Sequence, residues 1–519
     1  MDSASTPDLA SIFQAASEFA SYPGVVNDAA AKEFVDRYPL PVLFGVLQME
    51  VDEPRLEETI VACLERILRT RYGSSLLLQY VVFIHAGLQA NSETIRCLAC
   101  KSISFIIENM EDKASAVRIL VESNAYALLI NCLLDGNEQT SAASLNAIKN
   151  IAKSPEGIDV ILLSSRDESM QLKNIASNCS SMARIRILAL IKELFSLSDD
   201  IASVIYASNL LELFEVEING RNDVLSILSA LEILYELAQS PHGTKFLLKT
   251  SLLQLLTDMI SNDTVASILR SRAMLIGGRL LSSTDAYRTI DQSRIKVLLF
   301  AINGRLNKFE SQNMDEVENA LEAVGRIGSS ADGAILLLTS SPLVAKHVVD
   351  SAFNRQDRGK QLAALHALGS IAGGDRSDKS VLLNDGAEEC LKRLIYQAAT
   401  ESSKLTPSGL FLSMLQQEPE MRLAAYRLIS ALVARSWCLM EICSRPDITS
   451  IVMDADIEDT KIGMEARHQC CAAIYDAVSA LNMAADAKVA ELAEKCPNVS
   501  GGEFGCVMSP GAYGIISPN

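Results

Sequence analysis

The sequence predicts an all-α fold in which about ten helical repeats stack into a right-handed superhelical solenoid. Three observations predict this class: the choice of apolar residues, a break motif that recurs along the chain, and a nearly constant spacing between equivalent positions. Apolar residues make up 49% of the 519 residues and aromatic residues only 5%. Leucine, alanine and isoleucine carry the apolar share and suit helices, whereas strands favour aromatic and β-branched residues.

A short break separates the apolar helices and is often written Ser-Pro-x-Gly. The clearest copies end at Gly157 and Gly243, and each follows an apolar stretch with helical period. A second apolar helix comes after each break. The motif therefore indicates the boundary between two repeats, and internal repeats are the first feature to look for in a chain of this length.

The last apolar residue of the helix before each break serves as an anchor. The anchors are Ile67, Ile106, Ile151, Leu194, Leu237, Leu280, Ile327, Ile371 and Leu432. Their successive spacings are 39, 45, 43, 43, 43, 47, 44 and 61 residues. Armadillo and HEAT repeats are about 40–47 residues long, so all spacings but the first and last are typical of these folds. We attribute the long last spacing to an insertion around Ser402–Gln417.

The helix face that carries each anchor is apolar or small in nearly every repeat. Positions three and seven residues before the anchor share that face. Alanine occupies the position seven before in six of nine copies, which predicts a close helix crossing. Glycine occupies the position two before at Gly278, Gly325 and Gly369. Because a helical glycine costs about 1 kcal/mol relative to alanine, either a neighbouring helix or a partner must come close, and we favour the neighbouring helix.

Each repeat buries its apolar stripe only by stacking on its neighbours, so the ends of the array need caps. We predict an N-terminal helical cap over residues 1–56 and an armadillo/HEAT-like repeat array over 57–464. A C-terminal helical cap, read as a final helical pair, follows over 465–496. A Gly/Ser/Pro-rich tail without periodicity closes the chain over 497–519.

The helix face opposite the buried stripe is the predicted working surface. In the middle repeats it carries carboxylates, which would pair with lysines and arginines of a partner, together with tyrosine and arginine, which favour interfaces. An ordinary solvated helix face is the alternative interpretation. The predicted partner-binding residues are Glu193, Glu232, Tyr235, Glu236, Glu322 and Arg326.

No set of residues in the sequence forms a catalytic, cofactor or metal motif. Phosphate-binding glycine loops are missing, and the five histidines fall in different repeats without a nucleophile motif nearby. Cys97 and Cys100 form a Cys-x-x-Cys inside a repeat helix, but no further ligands follow at zinc spacing. We therefore expect no enzymatic activity, no cofactor and no metal.

The formal net charge of −18 repels phosphate backbones, so nucleic acid is not an expected partner. Such a charge favours a basic protein surface, although solubility alone is an alternative reason for it. No stretch reaches the roughly 18 apolar residues of a membrane span, and the N-terminus lacks the pattern of a secretory signal. We expect a soluble protein of the cytoplasm, and a nuclear location is the alternative that stays open. We also expect it to be monomeric when no partner is bound.

Three stretches resemble a known family. Val324–Gly333 resembles its VGILGSNVEGK segment, and Ala424–Trp437, followed by Ser444–Pro446 and Val452–Asp454, resembles its AIANQPW, NSPGF and VVDR segments. The closing Gly511–Tyr513 is similar to its EGPYYV end. The family is the 26S proteasome non-ATPase regulatory subunit 5 family, whose members are assembly chaperones of the proteasome base.

This resemblance implies a chaperone that binds the C-terminal domain of a proteasomal AAA-ATPase subunit and leaves before the mature 26S particle forms. It carries over no catalytic residues. Two other adaptor functions stay open, a nuclear-import receptor and an Hsp70 nucleotide-exchange factor. Import adaptors of the armadillo type line their groove with repeated tryptophan and asparagine, and the single tryptophan, Trp437, argues against that function.

Overall fold

The structure is a computed structural model, which describes residues 9–49, 55–163, 171–220, 223–240, 242–307, 314–341, 343–376 and 383–480. These residues form helices joined by short turns, and no β-strand occurs among them. The chain divides into two compact units, Met1–His242 and Gly243–Asn519. The described residues therefore have the all-α fold that the sequence predicts.

The first unit begins with three helices and continues as a series of helical repeats. A 3₁₀ turn at Leu78–Tyr80 and a π turn at Asp159–Leu163 interrupt it. Its helices are α1 Leu9–Ser21, α2 Asp28–Arg37, α3 Leu40–Leu47, α4 Leu56–Leu68, α5 Arg71–Leu77, α6 Val81–Leu88, α7 Glu93–Asn109, α8 Lys113–Glu122, α9 Ala125–Asp135, α10 Glu138–Ile151, α11 Pro155–Ile158, α12 Leu172–Asn178, α13 Ser181–Phe195, α14 Asp199–Ala207, α15 Glu212–Asn219 and α16 Val224–Gln239.

The second unit consists of the same kind of repeat. Its helices are α17 Gly243–Leu247, α18 Leu252–Ser261, α19 Ser267–Leu280, α20 Thr284–Thr289, α21 Gln292–Asn307, α22 Met314–Gly328, α23 Ala331–Thr339, α24 Val344–Ala352, α25 Arg358–Ala372, α26 Asp385–Glu401, α27 Pro407–Leu415, α28 Pro419–Leu432, α29 Ser436–Cys443, α30 Pro446–Met453 and α31 Lys461–Ala480.

Each repeat contains three helices, and the third one carries the anchor. In the first unit α4, α7, α10, α13 and α16 pack in series, each against the next. In the second unit α19, α22, α25, α28 and α31 do the same. Helix α1 packs against α4 in this way, so part of the predicted N-terminal cap continues the stacking. Residues 465–480 of the predicted C-terminal cap belong to α31. The rest of that cap, 481–496, and the predicted tail, 497–519, lie outside the described part of the chain.

The anchors form the centre of the core in both units. All nine are no more than 1% exposed, which confirms the register that the sequence predicts. The six alanines seven positions before the anchor are buried as well. An apolar side chain that leaves water completely contributes about 1.5–3 kcal/mol, so this repeated stripe supplies a large share of the stability of each unit.

The glycine of the break motif lies six residues after the anchor. Glycine is required there because the backbone of the anchor residue leaves no room for a Cβ. A Cβ at Gly157 would lie 1.9 Å from the carbonyl oxygen of Ile151, and one at Gly333 would lie 2.0 Å from that of Ile327. The Gly157 N–H donates to the side-chain oxygen of Ser154 at 3.1 Å, which caps the next helix. The motif thus lets the chain turn directly from one repeat into the next.

The long spacing before Leu432 has a different origin from the predicted insertion at Ser402–Gln417. Most of that segment is the buried helix α27, which packs against α28 and α30 as second helices of other repeats do. The extra residues come earlier. Helix α26 has 17 residues and begins at Asp385, 14 positions after Ile371, whereas α23 begins four positions after its anchor. The prediction placed the insertion too late because Pro407 is a helix start here, not a break.

Buried arginine–carboxylate pairs join successive repeats. Arg270 of α19 contacts Glu316 of α22 with two N–O distances of 2.7 Å, and Glu316 is buried. Arg422 of α28 donates to Glu458 at 2.7 Å, and the hydroxyl of Tyr426 donates to the same carboxylate at 3.1 Å. Both arginines lie ten positions before their anchors, so the repeat register also sets these polar contacts.

Among the described residues, no single helix has the length and apolar character needed to cross a membrane. Helices α8 and α9, taken together, have the length and apolar composition of a membrane span, but the chain bends by 79° between them.

Candidate functional site

Helices α19, α22 and α25 lie unusually close together in the second unit. A Cβ at Gly278 would lie 2.8 Å from the Cα of Ala323, and one at Gly325 would lie 2.9 Å from the Cα of Ala367. The predicted close neighbouring helix is therefore confirmed at both glycines. Gly369 differs, because the nearest atoms to its added Cβ lie at 3.9 and 4.0 Å, an ordinary contact distance.

The three helices run parallel to one another. Gly325 of α22 faces Ala367 of α25. One turn further along both helices, Gly328 faces Ile371. Similarly, Arg270 near the start of α19 pairs with Glu316 near the start of α22. Because the helices advance together, equivalent positions of successive repeats form rows across one surface of the unit.

A groove of about 970 Å³ follows this surface. Small and polar side chains of α19, α22 and α25 line most of it, and α28 contributes one arginine. Seven of the eighteen lining residues are charged. They are Arg279, Asp315, Glu318, Glu322, Arg326, Asp375 and Arg427. Small-molecule sites are mostly apolar with a few polar groups, so a groove with this lining is better suited to the polar surface of another protein.

Two of the three arginines are held by carboxylates of the same unit. Arg326 donates to Glu322 one turn earlier, with an Nη2–Oε1 distance of 2.7 Å. Arg427 forms an ion pair with Asp375, which also accepts a hydrogen bond from the Ser370 hydroxyl at 2.6 Å. These contacts hold the guanidinium groups in place along the groove wall.

His366 lies beside Arg427, with 3.3 Å between its Nδ1 and the arginine Nη1. Burial and the positive charge of Arg427 lower the pKa of His366 below its ordinary value, although Asp375 acts in the opposite direction. The imidazole is therefore neutral at neutral pH, and a neutral ring can accept a hydrogen bond from the guanidinium.

The structure places the predicted partner-binding residues in two sets. Glu322 and Arg326 line the groove of the second unit. The other four lie on third helices of the first unit: Glu193 on α13, and Glu232, Tyr235 and Glu236 on α16. Each set is described within its own unit, and their part in binding stays a prediction.

In the first unit, ion pairs connect the predicted acidic residues to lysines. Lys149 of α10 contacts Glu193 at 2.5 Å, and Lys192 contacts Glu193 and Glu236, each at 2.7 Å. Burial opposes ionisation of Glu193, yet hydrogen bonds from Lys149 and Lys192 outweigh it and lower the pKa of the carboxyl group. Both acidic residues thus already have cationic partners within the unit.

The sequence analysis did not select His366 and Arg427 as site residues. Both occupy the position five residues before the anchor, as does Glu322. A comparison of that position across all repeats would have brought the three together. Asp315 occupies the first turn of α22, where acidic residues are common for reasons of helix stability, and Glu318 follows in the second turn. Neither placement gives a separate signal of a site.

Cys97 and Cys100 are both buried in α7, and burial is the main cause that raises the pKa of Cys97. Trp437, the single tryptophan, lies on α29 and packs against the ring of Tyr396 with a centroid distance of 5.8 Å. Neither feature belongs to the groove.

Comparison with solved structures indicates the fold. A chain from the solved complex of Kap95p with RanGDP superposes with a TM-score of 0.53 at 14% sequence identity. The match covers 92% of this chain and 56% of that one. At this identity the likeness concerns the fold alone, and it agrees with the helical repeats of the armadillo and HEAT type predicted from the anchor spacing.

Comparison with curated sequences indicates the family. The 26S proteasome non-ATPase regulatory subunit 5 of Homo sapiens is 21% identical over 440 residues, which is 83% of each chain. The protein of the same name from Bos taurus is 20% identical over 442 residues, again 83% of each. A family model described as the proteasome non-ATPase 26S subunit matches residues 25–495. The resemblance predicted from sequence is thus confirmed, and this chain belongs to the proteasome non-ATPase 26S subunit family.

Proposed function

We propose that this protein is an assembly chaperone for the base of the 26S proteasome regulatory particle. In this proposal it binds the C-terminal domain of an AAA-ATPase subunit through the groove of the second unit. It is released before the mature proteasome forms. The role is that of a non-catalytic scaffold, and its place of action is the cytoplasm.

Family membership over residues 25–495 supports a role with proteasome components. The observation that carries the proposed contact surface is the groove itself, because rows of charged side chains from successive helices meet there. Charges arranged in this way speed the encounter with a complementary partner and fix its orientation. The net charge of −18 further favours a partner with basic surface.

The proposal is tested by presenting the full-length protein to the isolated C-terminal domain of each proteasomal ATPase subunit. We expect stable capture of one of these domains, measured by pull-down and by titration calorimetry. We also expect purified 26S proteasomes to lack this protein, while base-assembly intermediates contain it. Capture of none of the domains would refute the proposal.

A charge exchange within the groove identifies the contact surface. Glu322→Arg combined with Arg326→Glu keeps an ion pair one turn apart on α22 but inverts its direction. We expect this variant to fold normally and to lose most of its affinity for the ATPase domain. The matched control is Lys346→Asp with Asp350→Lys, which inverts an ion pair one turn apart on α24 outside the groove lining and should bind as the original protein does.

A further inference from the structure

Arg279 differs from the other two arginines of the groove, because it has no carboxylate partner among the described residues. It is half-buried in the last turn of α19, and no described residue accepts a hydrogen bond from its guanidinium. Arg326 and Arg427, in the same groove, each have an acidic partner. A guanidinium carries five N–H donors, and removing it from water is costly unless they are satisfied.

Glu318 is the counterpart with opposite charge. It is half-buried in the second turn of α22, and none of the described residues supplies it with a lysine or arginine. Burial, followed by the charges of Asp357 and Asp315, raises its pKa. The glycine at position 359 leaves room for this carboxylate, since a Cβ there would lie 2.0 Å from the Oε1 of Glu318.

The two groups lie toward opposite ends of the groove. Arg279 belongs to the last turn of α19, and Glu318 belongs to the second turn of the parallel helix α22. The helix macrodipole favours a basic residue in the last turn of a helix, which accounts for the placement of Arg279. The effect fades beyond the first turn, so it does not account for the placement of Glu318. A favourable helix dipole supplies no hydrogen-bond acceptor for the N–H groups of the Arg279 guanidinium, so that side chain still has no acceptor among the described residues.

We propose that the groove binds a segment of a partner protein that presents an acidic group to Arg279 and a basic group to Glu318. This inference rests on the proposed function for the identity of the partner, a proteasomal ATPase domain, and it deepens that function by fixing the direction in which the partner lies. Because the groove carries two opposite charges at separate points, a partner segment binds favourably in one orientation, and in the reverse orientation like charges repel each other.

The experiment compares Arg279→Glu, Glu318→Lys and the double reversal with the original protein. The first probe is the ATPase C-terminal domain that the original protein captures. Because both groups are half-buried, we expect each single reversal to weaken binding about tenfold, and the double reversal to weaken it further. Thermal unfolding curves close to the original show that the variants remain folded. Unchanged affinity in both single variants overturns the inference.

A second probe separates this inference from the proposed function. It is an array of synthetic peptides of one length, in which one aspartate and one lysine are placed at every spacing and in both orders. We expect the original protein to prefer one order and the double reversal to prefer the opposite order. If no ATPase domain binds but the order preference inverts, the proposed function fails and the groove inference stands. If binding to the array is independent of charge order, the groove inference fails.

Discussion

Two glycines of the repeat register offer a matched pair of substitutions. Gly325 and Gly369 occupy the same position, two residues before their anchors, on the neighbouring helices α22 and α25. An added methyl group at Gly325 would meet the Cα of Ala367 at 2.9 Å and its Cβ at 3.1 Å. At Gly369 the nearest atom would be the Cγ of Arg427 at 3.9 Å. Gly325→Ala and Gly369→Ala therefore differ in steric fit while sharing the same helical position.

The change in stability that each substitution causes is the sum of two terms. Replacing a helical glycine by alanine stabilises the helix by about 1 kcal/mol, and this gain is common to both variants. Forcing an extra methylene into a packed contact costs roughly 1–3 kcal/mol, and here the neighbour is backbone that cannot rotate away. We expect Gly369→Ala to be more stable than the original protein by up to about 1 kcal/mol. Gly325→Ala should be less stable than Gly369→Ala by roughly 1–3 kcal/mol.

The assay is amide hydrogen exchange followed by mass spectrometry, because a chain with two compact units need not unfold in one step. Peptides from α22 and α25 should exchange about tenfold faster in Gly325→Ala for each 1.4 kcal/mol of local stability lost. Peptides from the first unit serve as an internal reference. Equal shifts in the two variants, in either direction, would show that the helix contact at Gly325 is not tight and would refute the reasoning.

Three further predictions concern buried groups. Glu458→Ala leaves Arg422 without its buried carboxylate and should lower the local free energy of unfolding by about 3–5 kcal/mol, measured by hydrogen exchange of peptides from α28 and α31. Glu420→Ala, which breaks an exposed pair, should change it by less than about 1 kcal/mol. The pKa of His366 in the folded protein lies below its unfolded value of 6.5, so the unfolded chain takes up a proton first as the pH falls. Stability is therefore lost as the pH falls below 6.5. His366→Gln should reduce this loss, and an unchanged dependence of stability on pH would contradict the reasoning. Gly333→Ala should lower the melting temperature or prevent folding, because its methyl group would overlap a backbone carbonyl at 2.0 Å; a melting curve identical to the original would disprove that close approach.

The sequence alone determined the repeat and its register. The anchors, the alanines seven positions earlier and the glycines of the break motif recur at nearly constant spacing, and each reports a local requirement: a buried face, a close crossing or a sharp turn. Such requirements are set by the period of one helix and the length of one repeat, so they are visible in a single chain without coordinates.

The tertiary structure alone decided which charges are satisfied and which are not. Nothing in the sequence distinguishes Glu193, which two lysines hold, from Glu318, which no described cation approaches. Ion pairs depend on distances of a few ångström between side chains about 40 residues apart, and these distances are set by how closely successive helices stack. The repeat register fixes the helical position of each charged side chain. The distance between neighbouring third helices, which is short at Gly278 and Gly325, decides which opposite charge that side chain contacts.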